Sequence, residues 1–151
     1  MKLAEALILR ADLQKRIEQL KSRIVANVMI QEGDEPAEDA QKLLADLERD
    51  SGELVGLIQR INRTNSQTEL EDGLTLADAL AVRDNLATRH RIYRDVGAEA
   101  VVSRNRFSRS EVKFVSTVSA GAMQAQADDL AREHRELDAR IQATNWSTEL
   151  L

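Results

Sequence analysis

The phrase RINRTNSQTEL at residues 60–70 returns as RIQATNWSTEL at residues 140–150, and this return constrains the fold more than any other feature of the chain. The residues that follow the first copy repeat as well. LADALAVRDNLATR (76–89) matches LAEALILRADLQKR (3–16): Leu, Ala, an acid, Ala and Leu open both, and Arg83, Leu86 and Arg89 fall on Arg10, Leu13 and Arg16. The two phrases keep their order at similar offsets, 73 residues for the opening and 80 for the closing. Self-similarity at this period marks one supersecondary unit used twice. The repeats span 3–70 and 76–150, and residues 1–151 are expected to form a single helical-bundle domain.

The period within each half is helical. Leu3, Ala6, Arg10, Leu13, Ile17, Leu20 and Ile24 recur at steps of three and four, and Leu76, Ala79, Arg83, Leu86, His90 and Tyr93 trace the same stripe in the second copy. Leu43, Leu47, Asp50, Leu54, Leu57 and Ile61 mark the closing helix of the first half, as Met123, Ala127, Leu130, His134, Leu137 and Ile141 mark that of the second. A single Pro, one Trp, one Tyr and two Phe leave little to build a large sheet from. The expected class is all-α: an antiparallel four-helix bundle made of two duplicated helical hairpins. Gly52 and Gly56 weaken its second helix by about 1 kcal/mol each relative to Ala.

The repeated phrase reads as a helix ending. Thr-Asn offers an Asn able to take a left-handed cap, and Thr-Glu-Leu is a β-prone tail. In the first copy the chain continues as TELEDGLTL, where Asp72-Gly73 signals a turn and Thr75 with Asp78 resembles a capping box, so a short β-hairpin is expected at this pole. The second copy stops after TELL, and the counterpart of LTLADAL is MKLAEAL, which makes the two ends neighbours. At the other pole QEGDEPAED (31–39) is acidic around the proline. Its opposite number, SRNRFSRSEVK (103–113), carries Arg104, Arg106, Phe107, Arg109 and Lys113 and reads as an interaction loop. The expected partner of this basic loop is the acidic one, within the chain or across a dimer, with RNA or phosphate as the other reading. Alternation at Val28-x-Ile30 and Val112-x-Phe114 suggests short strands there.

A formal net charge of −5 argues against a generic binder of nucleic acid or anionic membrane. Without cysteine there are no disulfides. Glu5, Arg10 and Asp12 break the N-terminal apolar run, so no signal peptide is expected, and no window approaches a membrane span. The expected location is the cytoplasm.

No Ser-His-Asp arrangement, glycine-rich phosphate loop, HExxH or Cys/His metal spacing occurs, which points away from an enzyme and indicates no cofactor. Two constellations remain. Arg10 with Arg60, and Arg83 with Arg140, recur in both halves and would clamp a phosphate or carboxylate; the alternative is pairing with Glu5, Asp78, Glu69 or Glu149. His90 aligns with Ile17 and His134 with Leu54, so two histidines replace an apolar layer. With Asp50 they make a candidate two-His-one-carboxylate metal set. The competing readings are a buried polar layer involving Asp50 or Tyr93, and two exposed histidines. Residues 128–140, DDLAREHRELDAR, read as a solvated face.

The segments LAEALILRADLQKRI, QEGDEPAED, RINRTN, LEDGLTLADAL, RFSRSE and RIQATNWSTEL resemble the small bacterial family labelled septicolysin, over nearly the whole chain. The label implies a cytolysin and supplies no site residues. Of three function classes, a non-enzymatic interaction or assembly protein acting as a homo-oligomer explains the loops and the missing chemistry. A bundle binding a small anion or a metal is second, and a membrane-active cytolysin, which the resemblance implies, is third. Nucleic acid and membrane are not the expected partners.

Overall fold

A computed structural model describes residues 1–71, 73–101 and 114–151. Its elements run α1 (Leu3–Asn27), α2 (Ala40–Gln67), β1 (Glu69–Glu71), β2 (Leu74–Thr75), α3 (Leu76–Glu99) and α4 (Ala120–Ser147). The class is all-α, with 76% helix, helix packing of the bundle kind and one small two-stranded antiparallel sheet. The chain divides into two compact units, Met1–Thr75 with Gln142–Leu151, and Leu76–Ile141.

In the first unit α1 and α2 form a helical hairpin along the stripes that the sequence marks. Leu3, Ala6, Leu13, Leu20 and Ile24 of α1 are buried, as are Leu43, Asp50, Leu57 and Ile61 of α2, while Arg10, Ile17, Leu47 and Leu54 are part-buried. Leu20, Ile24 and Leu43 pack together with Leu47 against them. The helix starts have local causes. Glu5 Oε2 accepts the Lys2 backbone N–H at 2.7 Å, and Asp39 accepts from the N–H groups of Gln41 and Lys42. The acidic loop before α2 closes back on α1: Glu38 is ion-paired with Arg23, and Asn27 Oδ1 accepts the Glu38 N–H at 3.0 Å. α2 runs without interruption through Gly52 and Gly56.

Two expectations are corrected here. No non-glycine residue takes a positive φ among the described residues. Asn65 and Asn145 therefore do not cap their helices in the left-handed conformation; both helices continue two residues further, to Gln67 and Ser147. The chain leaves α2 through an extended Thr68, whose N–H donates to the Thr64 carbonyl at 2.9 Å, and the Thr148 N–H donates to Thr144 in the same way. A straight exit needs no αL residue. Val28–Ile30 forms no strand, and it has no buried face: all three side chains are exposed. Val112 lies outside the described residues.

The β-hairpin is present. Glu69 pairs with Thr75 and Glu71 with Leu74, antiparallel, and Gly73 has φ +76°, the left-handed region that favours glycine; Asp72 of that turn lies outside the described residues. The two chain ends meet in the same manner. An antiparallel bridge joins Lys2 to Glu149, the Leu3 N–H donates to Thr148 and the Leu150 N–H to Met1, both at 2.9 Å. By the offsets of the repeat, the Lys2–Glu149 bridge is the counterpart of the Thr75–Glu69 pair.

In the second unit Leu76, Ala79 and Leu86 of α3 and Ala127, Leu130, Leu137 and Ile141 of α4 are buried. Gly97 is buried as well, and a Cβ there would stand 3.4 Å from the Met123 Cβ. α3 and α4 therefore approach closely at this level.

Candidate functional site

The sequence singles out four arginines, two histidines and one loop. Arg10 and Arg60 belong to the first unit, Arg83 and Arg140 to the second. Arg83 sits at the helix stripe, part-buried, with Nη2 3.0 Å from Asp84 and Nη1 3.2 Å from Asp138 on α4. Burial opposes its charge, but the hydrogen bonds from both aspartates outweigh that, and its pKa lies above the ordinary arginine range. The Nε–H of Arg60 donates to the Leu151 carbonyl at 2.8 Å, and the Leu151 N–H donates to the Thr64 hydroxyl, so the end of the chain is tied to α2. Arg140 is exposed and engaged in an interaction of its own. Arg10 differs from these: its Nε is buried and has no hydrogen-bond partner among the described residues.

Two of the expected carboxylates, Glu5 and Glu149, are engaged by other groups. Glu5 caps α1, and Glu149 takes Lys2 Nζ at 2.7 Å and the Met1 ammonium at 3.2 Å, which hold its carboxyl below the usual range.

His90 on α3 and His134 on α4 are part-buried and line one cavity of about 200 Å³ together with Ala87, Ala131 and Arg135. The two imidazoles thus converge on one space. Asp50 is engaged in the other unit, where it is 1% exposed, 2.9 Å from Arg16 Nε and 3.1 Å from Arg49 Nη2. Its two flanking guanidiniums meet the charge requirement of a buried carboxylate. Among the described residues no group of three or more His, Asp or Glu side chains is placed to hold a metal ion.

The Arg16–Asp50–Arg49 cluster is the feature that sequence reasoning missed. The signal was present: an acid on an apolar stripe needs a cation, and Arg16 follows the stripe on α1. Pairing it with Asp50 requires the register of the hairpin, which no single residue supplies. The interaction loop residues Arg104, Arg106, Phe107, Arg109 and Lys113 lie outside the described residues. Along 128–140 the expected solvated face carries local pairs such as Arg132–Asp129 at 2.8 Å. Among the described residues no helix is long and apolar enough to cross a membrane.

No curated protein matches the chain. It is similar to a protein of known crystal structure, described as a functionally unknown conserved protein from Corynebacterium diphtheriae. The two are 44% identical, with a TM-score of 0.93 over 100% of this chain and 99% of that one. Neither that description nor the family's own carries the septicolysin name. Residues 10–150 match a family of unknown function (DUF6847), and the chain belongs to that family.

Proposed function

We propose that this protein is a non-enzymatic interaction protein that assembles with copies of itself. The observation that carries this reading is a run of large apolar side chains left in water where α1 ends. Val25, Val28, Met29 and Ile30 are 70%, 63%, 85% and 50% exposed, four such residues within six positions. Isolated apolar residues on a surface need no explanation, but a contiguous group next to a charged loop is the usual form of an interface core with a polar rim. The neighbouring loop, residues 31–39, is acidic, and the basic segment 103–113 of a second chain matches it in charge. A symmetric pair uses each loop once in each direction.

The test is native mass across a range of protein concentration, by light scattering or sedimentation. The wild type is expected as an oligomer, and Val25→Ser with Met29→Ser and Ile30→Ser as a monomer of unchanged helicity. A wild type that stays monomeric sinks the reading. Reversal of Arg104, Arg106 and Arg109 to Glu is expected to weaken assembly most at low salt.

Duplication of one hairpin, and folding of residues 1–151 as a single domain, belong to the same proposal. The equivalence of the Lys2–Glu149 bridge and the Thr75–Glu69 pair supports it. A permuted chain, joined from Leu151 to Met1 through Asp-Gly and opened before Gly73, is expected to unfold in one cooperative transition. The reading sets the protein in the cytoplasm, which fractionation of cells checks.

A further inference from the structure

We infer that the cavity between α3 and α4 is a binding site for a small carboxylate with an apolar body. His90, His134 and Arg135 line it together with Ala87 and Ala131. The cavity lies between two places where the helices are held together. On one side Arg83 Nη1 is 3.2 Å from Asp138, and on the other a Cβ built on Gly97 would stand 3.4 Å from the Met123 Cβ. Between these contacts the facing side chains include Ala87 and Ala131, too short to fill the gap. A helical side chain leans toward its N-terminal turn, which sets His90 over Ala87 and His134 over Ala131. The donors around the space are unused: among the described residues neither histidine nor Arg135 has a hydrogen bond or an ion pair, whereas Arg83, Arg94 and Arg132 of the same two helices all hold aspartates.

Charge and size select the ligand. Residues 85–94 of α3 hold Arg89, Arg91 and Arg94 and no carboxylate, in a chain of net charge −5. A guanidinium in the wall repels a metal ion and attracts an anion, and an imidazole keeps an N–H donor in either protonation state. The carboxylate therefore accepts from Arg135 and the histidines, and the methyl groups of Ala87 and Ala131 take the apolar body. The cavity measures about 200 Å³, below the roughly 300–1,000 Å³ of sites for drug-sized molecules, which limits the ligand to a small acid. The first hairpin has Ile17, Leu54 and Val55 where the second has His90, His134 and Arg135, so it keeps the helical frame without the donors. The site is independent of self-association.

The experiment follows the Cε1–H resonances of the two histidines in NMR of dilute full-length protein, assigned by their loss in His90→Ile and His134→Leu. Benzoate is the probe, titrated against chloride and inorganic phosphate at constant pH and ionic strength. Both resonances are expected to shift together and to saturate with benzoate alone. Arg135→Val, which copies the first hairpin at an exposed position, removes a charged donor and is expected to weaken binding about tenfold or more. Ala131→Leu keeps all three donors but fills the space, and is expected to abolish the response; Ala87→Leu serves the same purpose if Ala131→Leu does not fold. A shift that fails to saturate, or that chloride or phosphate reproduces at the same concentration, overturns the site. So does a benzoate response undiminished in Arg135→Val or in the folded leucine variant. No response to benzoate also overturns it, and zinc that then shifts both resonances assigns the cavity to a cation instead.

Discussion

The α1–α2 hairpin and the α3–α4 hairpin share an arrangement of stripes but place their polar groups at different levels. The first buries Asp50 where the second has Leu130, and it has Ile17 and Leu54 where the second has His90 and His134 around a cavity. The second satisfies Arg83 with two aspartates, while in the first Arg10 Nε has no hydrogen-bond partner among the described residues. Apolar spacing is thus enough to make the hairpin, and each copy carries its own charged cluster within that frame. The physical reason is that burial along a stripe is non-directional, whereas every buried charge needs a partner at one defined place.

The largest expected effect comes from removing the cations around Asp50. Arg16 and Arg49 are 52% and 65% exposed in their side chains and Asp50 only 2%, so the cost falls on the carboxylate when both arginines go. Arg16→Met with Arg49→Met is expected to lower stability by about 3–5 kcal/mol at neutral pH, the penalty of an uncompensated buried charge. Asp50→Leu copies the second hairpin and leaves only exposed arginines behind, so it is expected to cost far less or to stabilise. Urea unfolding of the two variants decides the matter, and equal losses would show that Asp50 is held by packing rather than by charge.

Leu13→Ala and Leu86→Ala probe the frame that the copies share. Both leucines are buried at equivalent positions, and each truncation is expected to cost about 2–5 kcal/mol. Calorimetry is expected to show one transition shifted in either variant. A transition that splits, with one half unmoved, would mean that the hairpins fold separately.

A smaller effect is expected at the link between the copies. Gly73 has φ +76° in the β1–β2 turn, so Gly73→Ala is strained whatever the space around it and is expected to cost about 1 kcal/mol. The equivalent pairing at the chain ends has no turn to strain. An unchanged unfolding midpoint in Gly73→Ala would show that the hairpin turn contributes nothing to stability.

The smallest expected effect is a pH dependence at that paired end. Hydrogen bonds from Lys2 and then from the Met1 ammonium lower the Glu149 carboxyl pKa in the folded protein from its ordinary value of 4.5. A carboxyl that ionises more readily when folded stabilises fully above its ordinary value, and the contribution is lost as pH falls through the lowered folded value. NMR titration of the Glu149 side chain is expected to give a midpoint below 4.5 that returns toward 4.5 in Lys2→Ala. A midpoint unaffected by Lys2→Ala would remove the ion pair from the account.

Much of the fold was legible because it rests on period and repetition. The stripes named from spacing are buried or part-buried throughout, the β-hairpin at Glu69–Thr75 is present, and the chain ends pair as expected. The candidate sites were legible only as residue types. The sequence located Arg10, Arg83, His90, His134 and Asp50 on stripes, but it left the arginines between an anion clamp and pairing with Glu5, Asp78, Glu69 or Glu149, and the histidines between a metal set with Asp50, a polar layer and exposure. By itself the sequence determined helix, hairpin and repeat, since these follow from local spacing that every turn of helix reads in the same way. Tertiary structure alone decided that Arg16 and Arg49 meet Asp50, that Asp138 meets Arg83 and that Arg10 Nε has no hydrogen-bond partner among the described residues. Ion pairs form over a few ångströms between helices, and shifting one helix by a single residue exchanges every partner.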